Sequence, residues 1–266
     1  VTVRVNHVRQ GSGEPLVLIH GIGHRLQAWL PVLDRLAAHH EVLALDLPGF
    51  GDSPVPPGGM PPDMPTTVAM LAEFLAAEGL DRPHVAGYSL GGAISLELAA
   101  TGRARSATAF SPAGFFTAAE RRRALAILRL LRATAFVPTP LIRHTMRVEA
   151  LRAICYAPLL GYPRRLEYQR AVDDALALRA GRGFASVARA SRGYRFTGAL
   201  EVPVTIAWGA KDRILPARQA ERARQLLPQA RHVPLPACGH VPMSDAPDLV
   251  ADLILQTTQG TQTDLS

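Results

Sequence analysis

His84-Val85-Ala86-Gly87-Tyr88-Ser89-Leu90-Gly91-Gly92 is the stretch that decides the reading of this chain. The first five residues form an apolar run of strand length. Leu90 opens a run of small and apolar residues that continues to Ala100 and has the length of a helix. Between them stands Gly-x-Ser-x-Gly. A serine on a sharp strand-to-helix turn needs an unusual backbone, and large side chains two residues to either side would collide there. Glycine therefore suits positions 87 and 91. Such a turn lifts the Ser89 hydroxyl above the sheet edge and aims a helix N-terminus at any negative charge that develops beside it.

Outward from this turn, short apolar runs alternate with helical patterns. Leu16–His20, Val42–Leu47, Ala104–Phe110, Val204–Trp208 and Arg231–Leu235 read as further strands. Val1–Val5 is also strand-like. Leu26–His39, Thr66–Glu78, Pro216–Leu227 and Ala246–Gln256 read as helices, the last with Asp245 as its N-cap. This order predicts an α/β fold with a doubly wound, mostly parallel sheet. The Pro- and Gly-rich segment Ser53–Pro65 reads as a surface loop, and the polar tail Thr257–Ser266 as mobile.

The alternation stops between Ala113 and Thr197. Thr117-Ala118-Ala119-Glu120 fits a capping box. Leu125, Leu128, Leu131 and Phe136 continue it as an apolar face, and Pro138, Pro140, Pro158 and Pro163 divide the rest into short helices. Residues 1–112 and 198–266 are expected to form the core domain, and 113–197 a helical cap over the carboxyl ends of the strands.

A serine nucleophile needs a base. Of nine histidines, His240 alone follows a strand and a short loop, Pro236-Ala237-Cys238-Gly239, and precedes the last helix. The orienting carboxylate should fall between serine and histidine in the chain. Asp212 does so, just past the strand ending at Trp208. Asp46 and Asp52 precede Ser89 and read as structural. The oxyanion donors are assigned to the N–H groups of Leu90 and of Ile22, in the loop His20-Gly21-Ile22-Gly23. His20 is expected to brace that loop, and His24 to face solvent, with the pocket rim as the alternative. Tyr88, Phe115, Phe116 and Phe136 are the candidate substrate-binding side chains, with Tyr156 and Tyr162 as further possible walls.

The chain has 266 residues and a formal net charge of +7, with Lys211 as its only lysine. Its arginines lie along helical stretches without a nucleic-acid-binding motif, so no nucleic-acid partner is expected. Arg121, Arg122, Arg123, Arg164 and Arg165 read as solvated faces, or as attraction for an acidic substrate or an anionic lipid surface. Cys155 and Cys238 read as free thiols. No apolar run approaches the ~20 residues of a membrane span. A soluble, cytoplasmic protein with a small-molecule substrate, no stable membrane insertion, no metal and no organic cofactor is the expectation.

Together these residues resemble the α/β-hydrolase superfamily. The likeness runs from His20-Gly21, through Asp46-Leu47-Pro48-Gly49-Phe50-Gly51-Asp52-Ser53, to Gly239-His240. The cap position is similar to the branch holding epoxide hydrolases, dehalogenases, C–C bond hydrolases and capped esterases. Epoxide hydrolases and dehalogenases of that branch carry aspartate where this chain has Ser89. The resemblance implies that Asp46–Ser53 shapes the pocket floor. It also implies a serine hydrolase acting on a small or medium-sized apolar ester through an acyl-enzyme. C–C hydrolase, perhydrolase-like and lyase activities on the same triad remain alternatives, as does a slow-turnover small-molecule receptor.

Overall fold

A computed structural model describes residues 3–260 of the chain. Among them, seven strands form one sheet in the order β1-β3-β2-β4-β5-β6-β7. The strands are β1 (His7–Gln10), β2 (Pro15–Ile19), β3 (Glu41–Leu45), β4 (His84–Tyr88), β5 (Ser106–Phe110), β6 (Val204–Gly209) and β7 (Arg231–Leu235). Only β1 runs antiparallel, paired to β3. Of the expected Val1–Val5 strand, Val1 and Thr2 lie outside the described residues and Val3–Val5 lie outside any strand; the first strand among the described residues is His7–Gln10. Strand β7 is an edge strand, partly exposed, which is where its Pro234 is tolerated.

Eleven α-helices join these strands: α1 (Leu30–Ala37), α2 (Met64–Ala77), α3 (Leu90–Ala100), α4 (Ala118–Thr134), α5 (Thr139–Arg147), α6 (Glu149–Tyr156), α7 (Tyr168–Ala180), α8 (Phe184–Ala190), α9 (Arg218–Leu226), α10 (Pro242–Asp245) and α11 (Pro247–Gln259). Side chains alternate across the sheet with period two. Val17, Ile19, Leu43, Leu45 and Val85 face a core with Leu71 and Phe74 of α2 and Ile94 and Leu98 of α3. Leu16, Leu18, Val42, Ala44 and Ala86 face a second core with Leu36 of α1 and Val250 and Ile254 of α11. Both faces are therefore covered, as near-continuous apolar strands require.

Helices α4 to α8 all lie between β5 and β6, and no strand interrupts them. The Thr117 capping box forms as the sequence predicts: Thr117 Oγ1 accepts from Glu120 N–H and the Glu120 carboxylate accepts from Thr117 N–H. Glu120 also pairs with Arg218 and Arg222 of α9, tying the insertion to the core. The expected loop 53–65 ends early, because Asp63 caps α2 by accepting from Thr66 N–H at 2.9 Å. Of the tail expected to be mobile, Thr257–Gln259 belong to α11, and 261–266 lie outside the described residues.

The sheet order reverses between β2 and β4. Strand β2 is followed by β3 on one side, and β4 by β5 on the other. Loops leaving the carboxyl ends of these two neighbours diverge to opposite faces and leave a crevice between them. Ile22 follows β2 and Ser89 follows β4.

Candidate active site

Ser89 sits at φ 56°, ψ −117°, in the left-handed region that a β-carbon disfavours. The turn that holds it is very tight. A Cβ on Gly91 would lie 2.1 Å from the carbonyl oxygen of Ile19, and one on Gly87 would lie 2.3 Å from that of Gly91. Helix α3 is thus pressed directly onto the end of β2. The loop after β2 lies against the serine as well: a Cβ on Gly21 would come within 3.2 Å of Ser89 Cβ. Leu90 is the first residue of α3, where the N–H has no partner within the helix. Ile22 lines the same cavity as Ser89.

His240 lines that cavity too. Its Nδ1 lies 2.7 Å from Asp212 Oδ2, with both side chains almost wholly buried. Asp212 Oδ1 accepts from the N–H groups of Ile214 and Leu215, each at 2.8 Å. A carboxylate held by two backbone donors offers only acceptor capacity to the imidazole. The proton therefore resides on Nδ1, and Nε2 is left as the basic nitrogen.

The His240 loop is anchored from the insertion. Leu159 carbonyl accepts from His240 N–H at 2.7 Å and from Val241 N–H at 3.1 Å. The buried Asp245 carboxylate accepts from Gly161, Tyr162 and Gly239 N–H groups. Asp245 is thus not the N-cap of the last helix; it ends α10 and turns inward to stitch two loops together. Gly239 matters here for space and not for torsional freedom. A Cβ on it would meet Gly161 N at 2.7 Å, and one on Gly209 would meet the Gly239 carbonyl oxygen at 2.2 Å.

His20 braces the loop after β2. Its Nε2 accepts from Leu47 N–H at 2.9 Å, which places the proton on Nδ1, 2.7 Å from the Gly21 carbonyl. Complete burial lowers its pKa to about 4. Asp46 is structural: its carboxylate accepts from Leu26 N–H, Asp52 N–H and the Asn6 side-chain amide.

The cavity over Ser89 has a volume of about 310 Å³. Its far wall comes from the insertion, with Leu128, Leu131, Val137, Ile142, Met146 and Leu178 among the lining residues. Tyr88 and Tyr156 line it as the sequence predicts, but the three phenylalanines do not. Phe115 is buried against Phe196 and Trp208. Phe116 faces a separate cavity of about 70 Å³. Phe136 is 57 % exposed beneath Arg132. Tyr162 lies under Lys211 and Arg165. Aromatic character located large side chains but not the direction they face. Leucine spacing on α4 was the better signal, since Leu128 and Leu131 both reach the cavity. The Asp46–Ser53 loop, expected beneath the catalytic pocket, lines the small cavity instead through Leu47, Pro48 and Phe50.

His24 takes the alternative placement at the cavity and not the solvent-facing one. Its side chain is 15 % exposed and lines the cavity, with Nδ1 hydrogen-bonded to the Tyr88 hydroxyl and Nε2 3.3 Å from Asp174 Oδ1. Arg170 donates to the same carboxylate at 2.9 Å. Burial opposes the charge on Asp174, but His24 and Arg170 outweigh it and hold the carboxyl below its usual range. Cys155 and Cys238 are both unpaired thiols.

This geometry, a serine at a strained strand-to-helix turn lining one cavity with a carboxylate-bound histidine, agrees with the comparisons with known proteins. Residues 14–247 match the α/β-hydrolase fold family, and the chain belongs to that family. It is 34 % identical, over 83 % of its length, to the dihydrolipoyllysine-residue acetyltransferase component of the acetoin cleaving system of Cupriavidus necator, and spans 58 % of that protein. It is 27 % identical to lipase 3 of a Moraxella species, covering 88 % of this chain and 74 % of the lipase. Among solved structures, a bacterial membrane phospholipase A superposes with a TM-score of 0.78 at 26 % identity, covering 98 % of this chain and 85 % of the other.

Proposed function

We propose that this protein is a carboxylic ester hydrolase working through Ser89, His240 and Asp212. The observation that carries the reading is that Ser89 and an Asp212-bound His240 line one cavity whose walls are largely apolar. In the proposed reaction His240 Nε2 takes the Ser89 proton as the oxygen attacks the ester carbonyl. The N–H groups of Ile22 and Leu90 stabilise the oxyanion, and Asp212 stabilises the imidazolium. The imidazolium then protonates the departing alcohol. Water, deprotonated by His240, cleaves the acyl-enzyme and returns Ser89. Residues 113–197 act as a cap that sets specificity, and the cavity suits a small to medium apolar ester. The similarity to a lipase supports the same substrate class.

The test is a panel of p-nitrophenyl esters of rising chain length, run beside fluorophosphonate labelling. Labelling at Ser89 with turnover of short and medium esters is the expected result. Full turnover by Ser89→Ala would end the proposal. Labelling without ester turnover, with cleavage of a vinylogous diketone, would move the chemistry to C–C hydrolysis.

A further inference from the structure

The positive charge of the chain is concentrated in the helical insertion. Residues 113–197 hold sixteen arginines and five carboxylates, a formal +11, whereas the rest of the chain sums to −4. Apolar exposure follows the same division. Of the ten large apolar side chains that stand exposed among the described residues, six fall between positions 130 and 154. Leu130 is 65 % exposed and Phe136 is 57 % exposed.

These two features meet along α4. One edge of this helix contributes Leu128, Leu131 and Thr134 to the catalytic cavity. Its outer side contributes Arg129, Arg132 and Ala133 to an open concavity completed by Phe136 and by Phe184, Arg189 and Arg192 from α8 and the turn after it. Arg132 is fixed there by donating to the Leu178 and Gly181 carbonyls, and it lies over both phenylalanine rings. Among the described residues, none of these four arginines has a carboxylate within 4.0 Å, the separation that defines the ion pairs found elsewhere in the molecule. Just past α4, Leu141 of α5 is half exposed and also lines the catalytic cavity, so the cavity reaches the surface there.

Guanidinium groups gathered without counter-charge repel one another, and large apolar side chains beside them gain nothing from water. A surface that carries phosphate next to hydrocarbon satisfies both. We propose that this face docks the protein on an anionic phospholipid surface. Arg129, Arg132, Arg189 and Arg192 receive headgroup phosphates in the concavity, and Leu130 and Phe136 enter the acyl boundary beside the cavity mouth. An acidic protein or a nucleic acid would match the charge but leave the apolar prongs unused. No helix needs to cross the bilayer, and among the described residues no single helix is long and apolar enough to do so. The docking is independent of the catalytic reading.

The experiment is vesicle flotation with the full chain carrying Ser89→Ala, so that hydrolysis cannot alter the lipid. Flotation is expected with vesicles of equal parts phosphatidylglycerol and phosphatidylcholine, to fall as salt rises, and to be absent with phosphatidylcholine alone. Arg129→Glu with Arg192→Glu should weaken partitioning at least ~10-fold. Leu130→Ser with Phe136→Ser should weaken it without changing the melting temperature. Leu226→Ser with Leu249→Ser, exposed positions on the core, should leave it unchanged. Failure to float, equal binding to neutral vesicles, or indifference to both double variants would overturn the proposal. So would tight binding of inorganic phosphate or of a duplex oligonucleotide at these arginines with no affinity for vesicles.

Discussion

The N–H of Gly161 donates to the carboxylate of Asp245 at 2.8 Å, across 84 residues of chain. Gly161 belongs to the insertion and Asp245 to the segment that carries His240, so this contact fastens the cavity's far wall to the proposed catalytic base. Asp245→Ala would leave the N–H groups of Gly161, Tyr162 and Gly239 without their acceptor. At ~1–3 kcal/mol for each buried group left unsatisfied, a loss of roughly 3 kcal/mol or more is expected. Denaturant titration should show it. Ester turnover measured well below the unfolding midpoint should show both a lower kcat and a higher KM, because the contact holds the proposed base and the far wall of the cavity together.

Asp212→Asn separates orientation from packing. The amide oxygen can still accept from Ile214 and Leu215, but its NH2 would face His240 Nδ1 and force the opposite tautomer. A fall in kcat on the order of 10⁴-fold is expected, with little change in melting temperature. An equal loss of stability and activity would mean that Asp212 is only a turn residue.

His20 makes stability depend on pH. Its folded pKa is lowered to about 4 by burial, below the ordinary 6.5. Between these values the unfolded chain binds a proton that the folded chain refuses. Stability is therefore fully present above pH ~6.5 and is lost as pH falls through ~4, by about 3 kcal/mol at most from this group. Urea unfolding across that window should show the slope, and His20→Gln should flatten it while lowering stability at pH 7.

The leucine wall of α4 sets how long an acyl chain fits. Leu131→Trp places a larger side chain in the cavity and should raise KM for long-chain p-nitrophenyl esters at least ~10-fold, with acetate turnover nearly unchanged. A uniform loss over all chain lengths would place Leu131 outside the substrate's path.

The strand-to-helix turn at Ser89 was legible because its constraint is local. A Cβ on Gly87 would strike the Gly91 backbone four residues on, and such short-range sterics leave a sequence signature, whereas Gly91 is required by the end of β2, far away along the chain. The parallel sheet was legible because a strand covered on both faces is largely apolar, as Val85 to Tyr88 and, Thr205 apart, Val204 to Trp208 are. Val3 and Val5 show the limit of that signal: they alternate as in a strand, yet Val5 is buried without pairing and the ladder with β3 begins only at His7. Among the candidate site residues, His240 and Asp212 followed from chain order and loop context. Phe115, Phe116 and Phe136 were misplaced, because whether a ring points into a cavity depends on helix rotation.

Residue order along the chain sets the alternation of strands and helices, the place of the turn at Ser89 and the helical character of residues 113–197. Each of these follows from interactions between neighbours along the chain. The tertiary structure alone decided what meets across distance: the inward turn of Asp245 toward Gly161, the seating of His24 between Tyr88 and Asp174, and the gathering of Arg129, Arg132, Arg189 and Arg192 around two phenylalanine rings. Those contacts depend on how separate helices rotate and stack, which is settled by close packing of whole surfaces and leaves no mark in any short stretch of residues.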